Sequence, residues 1–82
     1  MTENIKFEAE ITDTFGGEAN YSWVHRETFE APKDASTSLL VRRAKRALGY
    51  GGRGDTEDFG ETIQHKFRGV CWVMFINPVI EE

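Results

Sequence analysis

A single stretch of the chain, residues 36–49, has the pattern of an amphipathic helix, and this limits the folds that 82 residues can adopt. At about 3.6 residues per turn, its apolar side chains fall on one face of a helix. They are Leu40, Val41, Ala44, Ala47 and Leu48. Asp34, Ser36 and Thr37 are candidate N-cap residues. Gly49 suits the left-handed position that ends many helices. The chain therefore has one helix, and the flanking segments must cover its apolar face.

The segment before the helix has the pattern of a β-hairpin. Residues 5–12 alternate apolar and polar side chains, which is the period of a strand with one face in water. Residues 13–17 are turn-forming and include two glycines, and residues 18–29 are predicted to form the second strand. Tyr21 and Trp23 are predicted to share a face of this strand, and a β-bulge is expected in a strand of this length.

The segment after the helix is predicted to form a second hairpin. Residues 49–60 contain five glycines and are predicted to be a loop. Residues 62–68 alternate in the manner of a third strand. Residues 70–76 are apolar on both faces, which is typical of a central strand, and Asn77 and Pro78 are expected to end it.

Together these segments predict an α+β fold, with residues 1–82 as a single domain and the element order β-β-α-β-β. We expect a four-stranded antiparallel sheet with the helix packed on one face. One helix covers only one face of such a sheet. The apolar second side of residues 70–76 therefore predicts a partner protein, or a homodimer, on the second face of the sheet.

Charge and composition exclude several classes of protein. The net charge is −4, so the chain is not built to hold nucleic acid by its overall charge. Cys71 is the only cysteine, which rules out an intrachain disulfide and agrees with a reducing compartment. The N-terminal residues are acidic and polar, unlike a signal peptide, and no apolar run approaches the ~20 residues of a membrane span. We expect a soluble, cytoplasmic protein without membrane contact.

No set of residues has the spacing of a catalytic or metal centre. Beyond carboxylates, the only metal-ligand donors are His25, His65 and Cys71, and Cys71 is expected to be buried in an apolar strand, where a thiol is inert. The Gly-rich segment follows a helix C-terminus, whereas phosphate-binding loops precede a helix N-terminus. The acids after it are expected to lie in a solvated loop: Asp55, Glu57, Asp58 and Glu61. We expect no catalytic residue, no metal, no cofactor and no enzymatic activity.

Basic residues on the polar side of the helix, with the loop that follows, form the candidate binding surface. Its residues are Arg42, Arg43, Arg46, Tyr50 and Arg53. Arginines of this kind bind phosphates or carboxylates, and a tyrosine ring offers a stacking surface. Two other interpretations stay open. The cations also favour the helix dipole on a merely solvated face, and the same face suits an acidic protein.

Several segments resemble a group of small phage-encoded proteins. They are the Glu-Ala-Asn-Tyr run and the Tyr-Ser-Trp-Val that continues it, the Val-Arg-Arg-Ala-Lys helix that ends in a Gly-rich Arg loop, and the final Cys-Trp-Val-Met-Phe-Ile strand. The resemblance runs from Glu18 to Ile76. It implies an accessory phage protein made in the bacterial cytoplasm, in a class whose members often bind host or defence macromolecules. That group has no established activity, and the resemblance assigns no functional residue.

The residues and the resemblance together predict a non-enzymatic protein that binds a host or defence macromolecule, as a protein-interaction or inhibitor module. The alternative is direct binding of nucleic acid through the basic helix and the Gly/Arg loop.

Overall fold

One helix and five strands make up the described part of the chain, residues 3–16 and 18–79 of a computed structural model. The elements are β1 (Asn4–Phe15), β2 (Glu18–Pro32), α1 (Thr37–Leu48), β3 (Gly54–Asp58), β4 (Ile63–Phe67) and β5 (Trp72–Pro78). The strands form one antiparallel sheet in the order β2-β1-β5-β4-β3. The predicted α+β class, single helix and antiparallel sheet are confirmed, and the sheet has five strands where four were predicted.

The core lies between α1 and one face of the sheet, where α1 packs across β2, β1 and β5. Its largest fully buried side chains come from β1 and β5, and they are Ile11, Met74 and Ile76. From the helix, the predicted apolar face supplies Leu40, Val41, Ala44 and Leu48. β5 is the middle strand, as its two apolar faces predicted.

Both ends of α1 are capped as the sequence indicates. The Ser36 side chain accepts a hydrogen bond from the Leu39 amide at 3.2 Å, which satisfies one of the free N–H groups at the helix start. Gly49 takes a left-handed conformation with φ 81°, and its amide donates to the Lys45 carbonyl at 2.9 Å.

The last strand is shifted by two residues from its predicted position. Cys71 is exposed in the turn before β5, so the expectation that it is buried in an apolar strand is wrong. The strand continues through Asn77 to Pro78, which were expected to end it. The Val79 amide donates to the Lys6 carbonyl, so odd-numbered residues of β5 bond to β1 and Pro78 faces the β4 side. β4 begins at Ile63, opposite Ile76, so the missing N–H of Pro78 has no strand partner among the described residues.

A bulge interrupts the β1–β2 hairpin at Asp13, which alone lies opposite residues 20–23 of β2. The Asp13 carboxylate accepts hydrogen bonds from the Ser22 amide at 2.9 Å, the Ser22 hydroxyl at 2.6 Å and the Asn20 side-chain amide at 3.0 Å. The predicted bulge is thus confirmed. The turn is shorter than the predicted residues 13–17, because β1 continues through Phe15. Gly16 is a turn residue, and Gly17 lies outside the described residues.

The bulge reverses the predicted facing of Tyr21. Tyr21 has φ 55°, a left-handed conformation that is uncommon outside glycine. Its side chain lies beside Glu10 and Arg26 on the face away from α1. The pKa of Tyr21 is raised, mainly by burial and to a smaller extent by the negative charge of Glu10. Trp23 instead contacts Trp72 on the helix side. The prediction that Tyr21 and Trp23 share a face is therefore wrong.

We expect Asp13 to make the stability of the protein depend on pH in the acid range. The hydrogen bond from the Ser22 hydroxyl, followed by that from Asn20, lowers the pKa of Asp13 to about 2. A lowered pKa in the folded state stabilises the fold above the unfolded value, and this stabilisation is lost as the pH falls from about 4 towards 2. Urea unfolding across this range is expected to show the loss.

The Asp13→Asn variant is expected to be less stable than the wild type near neutral pH and to lose much of this acid dependence. Asp34→Asn is the matched control, because the Asp34 carboxylate is exposed and makes no hydrogen bond within the described residues. The pKa of Asp55 is also lowered, by its hydrogen bond and charge interaction with Arg68, so a smaller dependence of the same sign remains. An unchanged pH profile for Asp13→Asn would contradict the assignment.

Residues 54–58 form the edge strand β3 inside the segment that was predicted to be a loop. Gly54 makes this pairing possible, because an added Cβ would lie 2.0 Å from the Lys66 carbonyl oxygen. Side-chain contacts to β4 and to Arg68, which follows it, reinforce the pairing. Arg68 Nη2 donates to Asp55 Oδ1 at 2.6 Å, and Thr56 Oγ1 lies 2.6 Å from His65 Nδ1.

The acids of this segment therefore require a correction. Asp55, Glu57 and Asp58 lie on a strand of the sheet and not in a solvated loop. Their side chains are exposed, as the sequence suggested, but the backbone that carries them is paired with β4 in a fixed register.

The face of the sheet away from α1 is a mixture of charged, polar and apolar side chains. Arg26 Nε donates to Glu10 Oε2 there at 2.7 Å. Val73 on this face is only 2% exposed, and Phe75 beside it is partly exposed. Val73 is buried within the single chain, so its burial does not require a second copy. A homodimer through this face stays a prediction.

Across residues 3–16 and 18–79, no helix has both the length and the apolar character needed to cross a bilayer.

Candidate macromolecule-binding surface

The basic residues of α1 divide into two pairs. Arg42 and Arg46 are exposed and lie four residues apart, so they occupy the same side of the helix. Neither forms an ion pair or a hydrogen bond with any described residue. Arg43 and Lys45 are partly buried and donate to backbone carbonyls of the chain.

Arg43 connects α1 to the outer edge of β2. Its Nη1 donates to the Glu30 carbonyl oxygen at 2.9 Å. β1 and β2 exchange hydrogen bonds at odd-numbered residues, because the Lys33 amide donates to the Glu3 carbonyl in the same register. The Glu30 carbonyl therefore points away from β1, and Arg43 satisfies a group that would otherwise lie open on an edge strand.

Lys45 holds the Gly-rich segment against the sheet. Its Nζ donates to the Gly52 carbonyl and lies 5.6 Å from the centre of the Phe67 ring. His65, on β4, is only 3% exposed. Burial lowers the pKa of His65, and the positive charge of Lys45 lowers it further by a smaller amount. The imidazole is therefore neutral at pH 7.

Tyr50 packs towards the sheet instead of lying beside the arginines. Its ring stacks on Trp23 with centroids 6.2 Å apart and meets Trp72 edge-on at 5.0 Å. Its ring also approaches His25 at 6.1 Å. Trp23 is the exposed member of this aromatic cluster at 37%. Tyr50 and Trp72 also pack against the core.

The structure thus brings together part of the predicted site. Arg42, Arg43 and Arg46 line one shallow depression of about 220 Å³ together with Leu39. Tyr50 belongs to the aromatic cluster. Arg53 lies at the far end of the loop, with an exposed side chain and a carbonyl that accepts the Arg68 amide at 2.9 Å.

Two features of this region were not predicted from the sequence. The first is the contact of Tyr50 with Trp23 and Trp72, which lie far apart in the sequence. The alternation within each strand indicates which face of the sheet a side chain is on, but not which side chains from other elements it meets there. A groove of about 370 Å³ separates α1 from β3. It was not foreseen because β3 itself was not. Its lining is Thr37, Ser38, Val41, Arg42, Lys45 and Thr56.

Within the described residues, no group of three or more His, Cys, Asp or Glu side chains is placed to hold a metal ion. Comparison of the chain with known proteins found no matching family model, no matching curated sequence and no matching solved structure.

Proposed function

We propose that this chain is a non-enzymatic binding protein that engages an acidic surface of another protein through the outer face of α1. The observation that carries the proposal is the pair Arg42 and Arg46, which are exposed, share one side of the helix and have no partner among the described residues. A planar guanidinium suits carboxylates, and two of them on one side of a helix can each bind a carboxylate of the same acidic surface.

The charge of the remaining surface favours a protein over a nucleic acid. The net charge is −4, and Asp58 lies on the helix side of β3, where its carboxylate accepts a hydrogen bond from Thr37 Oγ1 at 3.3 Å next to the groove that Arg42 lines. A polyanion that spans more than the two arginines would meet this carboxylate, whereas a local acidic patch on a protein would not. A host or defence protein is the proposed partner, in line with the resemblance to phage accessory proteins, and occupying its surface would inhibit it.

A second candidate is single-stranded nucleic acid. The observation that favours it is the ring of Trp23, which is 37% exposed and stacked on Tyr50 next to the loop that carries Arg53. Bases stack on exposed aromatic rings near cations, so this cluster has the components of a stacking site.

Affinity capture from a bacterial lysate tests the proposal. The Arg42→Glu/Arg46→Glu variant is expected to lose the partner that the wild type retains, with affinity for the identified partner weakened at least about tenfold. Lys33→Glu/Lys66→Glu is the matched control, because it changes the net charge equally at exposed positions outside α1. Equal loss in both variants would contradict the proposal.

A fluorescent single-stranded oligonucleotide separates the two candidates. We expect no binding at low salt. Salt-dependent binding that is lost in Tyr50→Ala and quenches tryptophan fluorescence would favour nucleic acid instead.

A further inference from the structure

The two edges of the sheet differ in one respect. The edge strand β2 has its outward Glu30 carbonyl satisfied by Arg43 from α1. The other edge strand, β3, pairs with β4 along its length. Thr37 Oγ1 at the start of α1 donates to Asp58 Oδ2 at 3.3 Å, and the groove separates the following turns of α1 from β3.

The hydrogen-bond register shows which groups of β3 face outward. The Arg68 amide donates to the Arg53 carbonyl at 2.9 Å before the strand, and the Phe59 amide donates to the Thr62 carbonyl at 2.8 Å after it. Both contacts fit the same antiparallel register, in which odd-numbered residues of β3 exchange hydrogen bonds with β4. The amide and carbonyl groups of Gly54, Thr56 and Asp58 therefore point away from the sheet.

These outward groups are accessible. Residues 55–58 are exposed, and no described residue makes a hydrogen bond to the backbone of Gly54, Thr56 or Asp58 from that side. Unpaired groups of this kind form a template on which an extended chain adds as a further strand.

The side chains of β3 define what such a strand would carry. Asp55 and Glu57 project on the face away from α1, where Asp55 is ion-paired with Arg68 and Glu57 has no ion-pair partner among the described residues. Thr56 projects on the helix side, where it meets His65. An added strand would place alternate side chains beside the acids and the others in the groove. Arg42 and Lys45 line that groove, so a cation does not suit the groove positions, whereas it suits the positions beside the acids.

A second copy of this chain does not fit the edge. Pairing two β3 strands about Thr56 would set Asp55 directly opposite Glu57 of the second copy, and like charges in that position are destabilising.

We propose that β3 binds an extended segment of a partner protein as a sixth strand, and that this segment alternates basic residues with small apolar or hydroxyl-bearing ones. The basic side chains lie beside Asp55 and Glu57, and the small ones enter the groove between α1 and β3. This surface shares only Arg42 with the basic outer face of α1, because Arg42 lines the groove as well.

The test uses the full chain and a capped Lys-Val-Lys-Val-Lys-Val-Lys peptide. We expect saturable binding, with protection of the Gly54, Thr56 and Asp58 amides from hydrogen exchange, because these groups become bonded to the peptide. A peptide of the same composition with its valines and lysines segregated is expected to bind at least about fivefold more weakly. Binding without protection of those amides, or equal binding of both peptides, would overturn the proposal.

Two variants test the backbone and the charge separately. Thr56→Pro removes an outward amide, and an edge strand tolerates proline at such a position. This variant is expected to weaken binding about tenfold. Thr28→Pro is the matched control on β2, because its amide also points outward. Glu57→Lys keeps the backbone and is expected to weaken binding about fivefold, so this arm holds even where Thr56→Pro does not fold. Unchanged affinity in Glu57→Lys would contradict the proposed chemistry of the segment.

Discussion

The Gly54→Ala variant is expected to lose about 3 kcal/mol of its free energy of unfolding and to release β3 from β4. The added Cβ would lie 2.0 Å from the Lys66 carbonyl oxygen and 2.7 Å from its carbonyl carbon. Both atoms belong to the backbone of β4, so no side-chain rotation relieves the overlap, and the two strands must separate. Urea unfolding followed by tryptophan fluorescence measures the change.

Gly51→Ala is the matched control for this prediction. Its added Cβ would meet nothing within 4 Å, and its backbone is not in the left-handed region, so its stability is expected to stay within about 0.5 kcal/mol of the wild type. Amide exchange provides a second readout, because residues 55 and 57 lose their protection once β3 separates from β4. Wild-type stability in Gly54→Ala would mean that β3 does not pair in the register described.

The Met74→Ala variant is expected to lose about 3 kcal/mol of its free energy of unfolding. Met74 is fully buried on the middle strand, opposite Ile11 on β1 and His65 on β4. Truncation would leave a cavity that rigid strands on both sides cannot fill. For a domain with a typical total stability of about 5–15 kcal/mol, this loss is large enough to measure by thermal or urea unfolding.

Two control variants test whether the loss in Met74→Ala comes from the buried volume that is removed. Met74→Leu conserves volume and is expected to cost less than about 1.5 kcal/mol. Val70→Ala truncates a side chain that is 44% exposed in the preceding turn and is expected to change stability little. Similar losses in Met74→Ala and Val70→Ala would contradict the central position of β5.

The helix and most of the sheet follow from local sequence, but β3 does not. Ser36 and Gly49 mark the ends of α1 through their own conformations, and alternation marks β1 and β4. The sequence Gly-Asp-Thr-Glu-Asp of β3 is poor in strand-forming residues. Its conformation depends on contacts with β4, above all the close approach at Gly54, and a local pattern does not contain such contacts.

The candidate binding surface was predictable only in part for a similar reason. Helical spacing placed all the basic residues of α1 on its polar side, but it did not show where β2 ends. The structure places the Glu30 carbonyl within reach of Arg43 and leaves Arg42 and Arg46 exposed. Tyr21 was placed on the wrong face because the bulge at Asp13 breaks the alternation on which facing predictions depend.

The position of β1 between β2 and β5 bears on how the chain acquires its structure on the ribosome. β1 is synthesised before the other strands and β5 after them, yet the two pair from Phe7–Pro78 to Asp13–Trp72. Until β5 has left the exit tunnel, the nascent β1–β2 hairpin and α1 lack Met74 and Ile76 on their apolar side. We therefore expect this protein to fold after translation of β5 and not progressively, with the unfinished chain dependent on chaperones that cover the exposed hairpin.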